Sequence, residues 1–96
     1  MSADSTVYFV YAISSINRNY IYVGLTANVK IRISRHNKGY EKTTKPYAPF
    51  RLIYTKEFNS RKEARVHEIY LKSGIGKEKL REIRYTAGDK GLSADR

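Results

Sequence analysis

The chain has no cysteine and no tryptophan, and its 96 residues include only two prolines, two histidines and nine acidic side chains. Without cysteine there can be no disulfide, no thiolate nucleophile and no cysteine-ligated zinc, and such a composition suits a reducing cytoplasm. His36 and His67 cannot build a zinc site by themselves. Long apolar runs are missing as well. The stretch Val7–Ile13 is too short to span a bilayer and has no basic residue before it, so it reads as a strand and no membrane partner is expected.

Negative charge is scarce. Nineteen Lys and Arg stand against nine Asp and Glu, a net charge of +10. Only Arg18 of the nineteen precedes Lys30, so the basic charge belongs to the later segments. A basic face exchanges counterions with phosphates, which makes nucleic acid the expected partner; the alternative is a cationic solubilising surface. A chain of this length holds one domain and buries roughly 60–65% of its unfolded surface.

Read in order, residues 1–6 are a flexible lead-in and Val7–Ile13, rich in β-branched and aromatic residues, is a strand. Ser14–Asn19 is turn chemistry and Tyr20–Gly24 a second strand, closing a hairpin. A loop centred between Ser14 and Asn19 would set Tyr11 directly opposite Tyr22. Asn28 is the expected N-cap of a helix stopped by Gly39. Phe50–Phe58 reads as a third strand, at an edge because of its charges. The run Ser60-Arg61-Lys62-Glu63 is a capping box opening a helix to about Ser73. A short helix over Gly76–Arg84 follows, turning Leu80 and Ile83 inward, and 85–96 has no apolar periodicity and is expected to be a disordered tail. The order is ββαβαα, a small α+β domain over residues 7–84.

Chemistry-bearing residues gather around the hairpin and the first helix. Tyr11 and Tyr22 read as core aromatics or as site phenols. Arg32 stands between the apolar Ile31 and Ile33, at the edge of the buried face, where a guanidinium suits a phosphate. His36 is one turn further on, within reach of the same anion or serving as a half-buried helix-end histidine. Glu68 shares a helical face with Ala64 and Leu71. A carboxylate there needs a partner, either a metal or Lys72 at i+4. One carboxylate is enough for magnesium, which keeps most of its waters. Lys30, Arg35, Lys38, Lys42, Lys45 and Lys72 are the expected contacts to nucleic acid.

Phe9-Val10-Tyr11, Tyr22-Val23-Gly24, Arg32, His36 and Glu68 together resemble the GIY-YIG nuclease superfamily, over nearly the whole chain. The layout is most similar to its small stand-alone bacterial members and to the nuclease domain at the head of the excision-repair incision enzyme. It departs from the family pattern in lacking the first glycine and isoleucine and in having no asparagine after Asn59. The resemblance implies a three-stranded antiparallel sheet flanked by helices and metal-dependent hydrolysis of DNA, with Mg2+ or Mn2+. It implies that Tyr22 or Tyr11 activates water, Arg32 stabilises the pentacovalent phosphate, Glu68 holds the metal, and His36 assists near the attacking or leaving group. A free phenol titrates at about 10, so a nearby arginine and a metal-bound water would have to lower that value.

The activity expected is therefore a DNA endonuclease, in repair or recombination, with a preference for branched, nicked or single-stranded DNA. A binding module on the same fold that does not cut is the alternative, and a domain binding acidic proteins is a third. A monomer is expected.

Overall fold

The structure, a computed structural model, describes residues 6–94. Strand β1 (Tyr8–Ser15) is the middle of a three-stranded antiparallel sheet ordered β2-β1-β3, with β2 at Ile21–Thr26 and β3 at Phe50–Phe58. Helix α1 (Val29–Asn37) joins β2 to β3, and α2 (Arg61–Lys72) and α3 (Gly74–Ala94) follow. This is the expected ββαβαα order, with β3 on an edge.

Because side chains alternate along a strand, β1 serves two cores at once. Val10 and Ala12 point to one face, where they join Ile21 and Val23 of β2, Ala64 and Leu71 of α2, and Leu80 of α3. Tyr11 and Ile13 point to the other face and pack with Phe50, Tyr22, Val29 and Ile33. Burying each large aliphatic side chain contributes about 1.5–3 kcal/mol, and the first face collects most of them. The second face is aromatic and partly polar, and it lies against α1.

The local signals were accurate where they act locally. The Asn28 side chain accepts from the Ile31 amide, the Ser60 side chain accepts from the Glu63 amide, and Gly39 takes a left-handed φ of 80° past the end of α1. Leu80 is fully buried and Ile83 packs on the same core.

Three expectations are corrected. Tyr11 pairs with Gly24, not with Tyr22, which lies opposite Ile13. The strands run further than expected, because Ser14 and Ser15 are buried and β3 pairs them with Arg51 and Phe50. The turn is thus pushed out to residues 16–19, closed by the Ser15 amide donating to the Tyr20 carbonyl at 2.9 Å. The slip is an even one, so Tyr11 and Tyr22 still share a face, as diagonal neighbours. Finally, α3 continues past Arg84, where a tail had been expected, and it begins at Gly74, not Gly76. Once a packed first half has nucleated a helix, each added residue gains a hydrogen bond at little further cost. Of the expected lead-in, residues 1–5 lie outside the described residues, as do 95–96 of the expected tail. No helix is long and apolar enough to cross a membrane among the described residues.

Candidate active site

The site is built on the aromatic face of β1. Tyr11, fully buried at mid-strand, extends over Gly24 on the neighbouring strand. A Cβ at position 24 would come 2.5 Å from the phenol oxygen, so a glycine there is a steric requirement. Tyr22 lies beside it, the ring centroids 6.3 Å apart. The last turn of α1 delivers His36 onto the same spot, almost wholly buried, its ring 5.0 Å from that of Tyr22 and 6.0 Å from that of Phe50.

The hydrogen bonds fix the protons. His36 Nε2 is 2.8 Å from the Tyr11 hydroxyl, and Nδ1 is 2.7 Å from Thr44 Oγ1. Thr44 in turn donates to the Glu41 carbonyl at 3.4 Å. The arrangement that satisfies every atom has Nδ1–H donating to Thr44 and Tyr11 O–H donating to Nε2. Burial, and then the Arg32 charge, lower the His36 pKa, so the imidazole is neutral. Both ring nitrogens are occupied within the protein.

The Tyr11 phenol is pushed up to about 12, because burial outweighs the lowering by the Arg32 guanidinium beside it. This reverses the expectation that a neighbouring arginine would bring such a phenol towards neutrality. Tyr11 is a fixed hydrogen-bond donor. Tyr22 is half-buried, and its hydroxyl has no hydrogen-bond partner among the described residues.

Arg32 stands one turn before His36 and is about one-third exposed. Its Nε is buried without a hydrogen-bond partner, and its Nη1 reaches Glu41 Oε2 only at 3.9 Å. A guanidinium with an unused buried donor, beside a phenol and open to solvent on its other side, is suited to an incoming anion.

Glu41 and Thr44 were not singled out by the sequence reading. Glu41 Oε2 accepts from Arg35 Nε at 2.9 Å, and that bond, with the Arg32 and Arg35 charges, holds its carboxyl below its ordinary range. The available signal was its isolation, since Glu41 is the one acid between Asp4 and Glu57. Phe50 and the Tyr20–Tyr47 stack, with centroids 3.9 Å apart, complete the aromatic floor.

Glu68 is placed differently. It is buried on α2 between Ala64 and Leu71, which pack against the opposite face of the sheet from Tyr11. Its Oε1 accepts from Arg65 at 3.0 Å and its Oε2 lies 3.3 Å from Lys72, so the i+4 partner expected as the alternative is present. Among the described residues no polar contact joins it to Tyr11, Tyr22, Arg32 or His36, and no group of three or more His, Asp or Glu gathers to hold a metal. A single carboxylate can still take magnesium through the ion's own waters, and the two cations on Glu68 are half-exposed side chains able to swing aside. Glu68 therefore fits a one-carboxylate metal site and no richer one. Lys30, Arg35, Lys38, Lys42, Lys45 and Lys72 are all exposed.

The family pattern described as the GIY-YIG catalytic domain matches residues 7–81. The chain belongs to this family. This GIY-YIG domain is 39% identical to a UPF0213 protein of Staphylococcus haemolyticus over 68% of its own length and 80% of the relative's. With a UPF0213 protein of Natronomonas pharaonis it shares 36% identity, over 83% of itself and 93% of the relative. A solution structure of a UPF0213 protein from Bacillus halodurans, 34% identical, covers 80% of this chain and 84% of its own, at a TM-score of 0.49. Within the GIY-YIG frame, Tyr11, Tyr22, Arg32 and His36 form one cluster and Glu68 stands apart from it.

Proposed function

We propose that the protein is a divalent-metal-dependent endonuclease that hydrolyses DNA phosphodiester bonds. The observation that supports this most is the one-third-exposed Arg32 guanidinium, with Glu41 no nearer than 3.9 Å, beside the two phenols and the neutral His36. In this reading Arg32 grips the non-bridging oxygens of the scissile phosphate and stabilises the charge that builds on them. Tyr22, whose hydroxyl is uncommitted, takes the proton of the attacking water as its own phenol proton passes to solvent, and the leaving sugar oxygen is protonated from solvent. A water oxygen–phosphorus bond forms and the ester bond to the sugar oxygen breaks. Tyr11, His36 and Thr44 position the cluster. Glu68, which stands apart from that cluster in this structure, would hold Mg2+ or Mn2+, which when bound would supply charge neutralisation and a polarised water. With no separate specificity module in the described residues, contacts fall mainly on phosphates, and the expected preference is for branched, nicked or single-stranded DNA, as in repair or recombination. The lack of cysteine suits a reducing cytoplasm, and a monomer is the expected state.

A module that binds but does not cut is the second reading, and the pairing of Glu68 with Arg65 and Lys72 favours it. Cleavage of supercoiled plasmid and of branched oligonucleotides with magnesium or manganese separates the two. Arg32→Ala should lower cutting by about 10²–10³-fold with binding largely kept. Glu68→Ala should abolish the metal response. Binding without cutting in every metal would leave the second reading.

A further inference from the structure

The turn end of the hairpin carries a feature that the site above does not use. An open pocket of about 570 Å3 is lined by Ser14, Ser15, Arg18, Asn19, Arg51 and Arg84. Four elements of the fold meet there: β1, its turn, β3 and α3.

The three arginines have no carboxylate partner among the described residues. Two are nevertheless held in place. Arg84 Nη1 donates to the Asn19 side-chain oxygen at 2.8 Å, and Arg51 Nη2 donates to the Arg84 carbonyl at 3.2 Å. Each of these guanidiniums has five N–H groups and spends one, so four remain. Arg18 lies 5.8 Å over the Tyr47 ring. Ser14, almost wholly buried in the pocket wall, donates only a long bond, 3.5 Å to the Ser15 carbonyl, and so has an underused hydroxyl.

Next door, Arg84 also lines a smaller pocket with Lys77 and Arg81. Lys77 is held below its ordinary range by burial, with the Arg81 and Lys72 charges adding to the effect. Converging fixed guanidiniums, a spare hydroxyl and no balancing acid among the described side chains make a phosphate seat.

We propose that the Arg18–Arg51–Arg84 pocket binds a second phosphate of the nucleic-acid backbone, beyond the phosphate held at Arg32. Ser14 is three residues, roughly 10 Å, along β1 from Tyr11 and faces the α3 side of the sheet, so a strand held at Arg32 reaches this pocket by passing round the hairpin end. The pocket is open and sits on a chain of net charge +10, which favours a polyanion over a small phosphorylated ligand. This deepens the nuclease reading by placing the substrate's direction, and it also holds for a binding module.

The test uses an Arg32→Ala background with EDTA present, which holds cutting about 10²–10³-fold or more below the parent, and a fluorescent duplex titrated at several salt concentrations. Adding Arg18→Gln and Arg84→Gln together should weaken binding about tenfold at low salt. The slope of log affinity against log salt should fall by about one. Arg18→Gln alone, at an exposed turn residue, should show part of the effect without any fall in melting temperature. Arg18→Lys with Arg84→Lys should keep the slope. An unchanged slope in the folded double variant overturns the proposal. If the parent protein cuts plasmid while the slope is unchanged, the pocket assignment fails and the nuclease stands. If it never cuts and the slope falls, the pocket stands and the nuclease fails.

Discussion

Gly24 lies directly across the ladder from Tyr11, and the phenol occupies the space that any Cβ at position 24 would need. Because Tyr11 is also bonded to His36, displacing it disturbs the whole cluster. Gly24→Ala should destabilise the fold by about 1–3 kcal/mol and sharply reduce cleavage. Gly74→Ala is the control, since nothing lies within 4 Å of its added Cβ, and it should be neutral or slightly stabilising. Urea melts with plasmid assays check both. A Gly24→Ala protein of full stability and activity would contradict this packing.

The two phenols should respond differently to loss of their hydroxyls. Tyr11→Phe leaves His36 Nε2 buried without its donor, which should cost about 1–3 kcal/mol of stability. Tyr22→Phe removes a hydroxyl with no protein partner, so stability should hardly move while cleavage is lost. Undiminished cutting by Tyr22→Phe would remove it from the proton-transfer role.

Stability should fall as the solution is acidified through the histidine range. His36 has a folded pKa below the ordinary 6.5, lowered first by burial and next by Arg32. The unfolded chain therefore takes up protons at a higher pH than the folded one, and unfolding is favoured as pH drops. The contribution is fully present above about pH 6.5 and is lost on the way down towards the folded value. His67 shifts the same way, by burial and then Lys56. Melting temperatures should decline from pH 7 to pH 5, less steeply in His36→Gln or His67→Gln. A flat profile in the parent protein would contradict the neutral buried imidazole.

Glu41 sets its carboxylate against the two guanidiniums that a phosphate would use. Glu41→Gln keeps the shape and removes the competitor, so DNA should bind several-fold more tightly with a steeper salt dependence. Weaker binding, measured by anisotropy, would mean instead that Glu41 holds Arg32 in its working position.

How much of this could be read from the residues depended on how local each cause was. Asn28, Ser60 and Gly39 act within a turn of themselves, so the bounds of α1 and the start of α2 were legible. The shared face of Tyr11 and Tyr22 survived a wrong register only because the slip was even, a fact set by where β3 pairs Ser14 and Ser15. Arg32 and His36 were legible as a pair on one helix. Their partners Thr44 and Glu41 were not, because they arrive from an irregular loop whose path leaves no periodic trace. The height of the Tyr11 pKa was hidden for a related reason: it depends on full enclosure by both neighbouring strands and α1, which no spacing reveals.

The central position of β1 has a consequence during synthesis. Its second edge is covered only by β3, so a growing chain that has not yet emerged past Phe58 leaves Tyr11 on an open strand. Phe50, which packs against His36 and Tyr20, is still missing for much of that time. The cluster is thus assembled late, by a contact distant in sequence that closes slowly compared with the hairpin and the first helix. A half-made chain can expose a basic surface before the aromatic cluster is complete, and the cleavage proposed above could begin only once the third strand has docked.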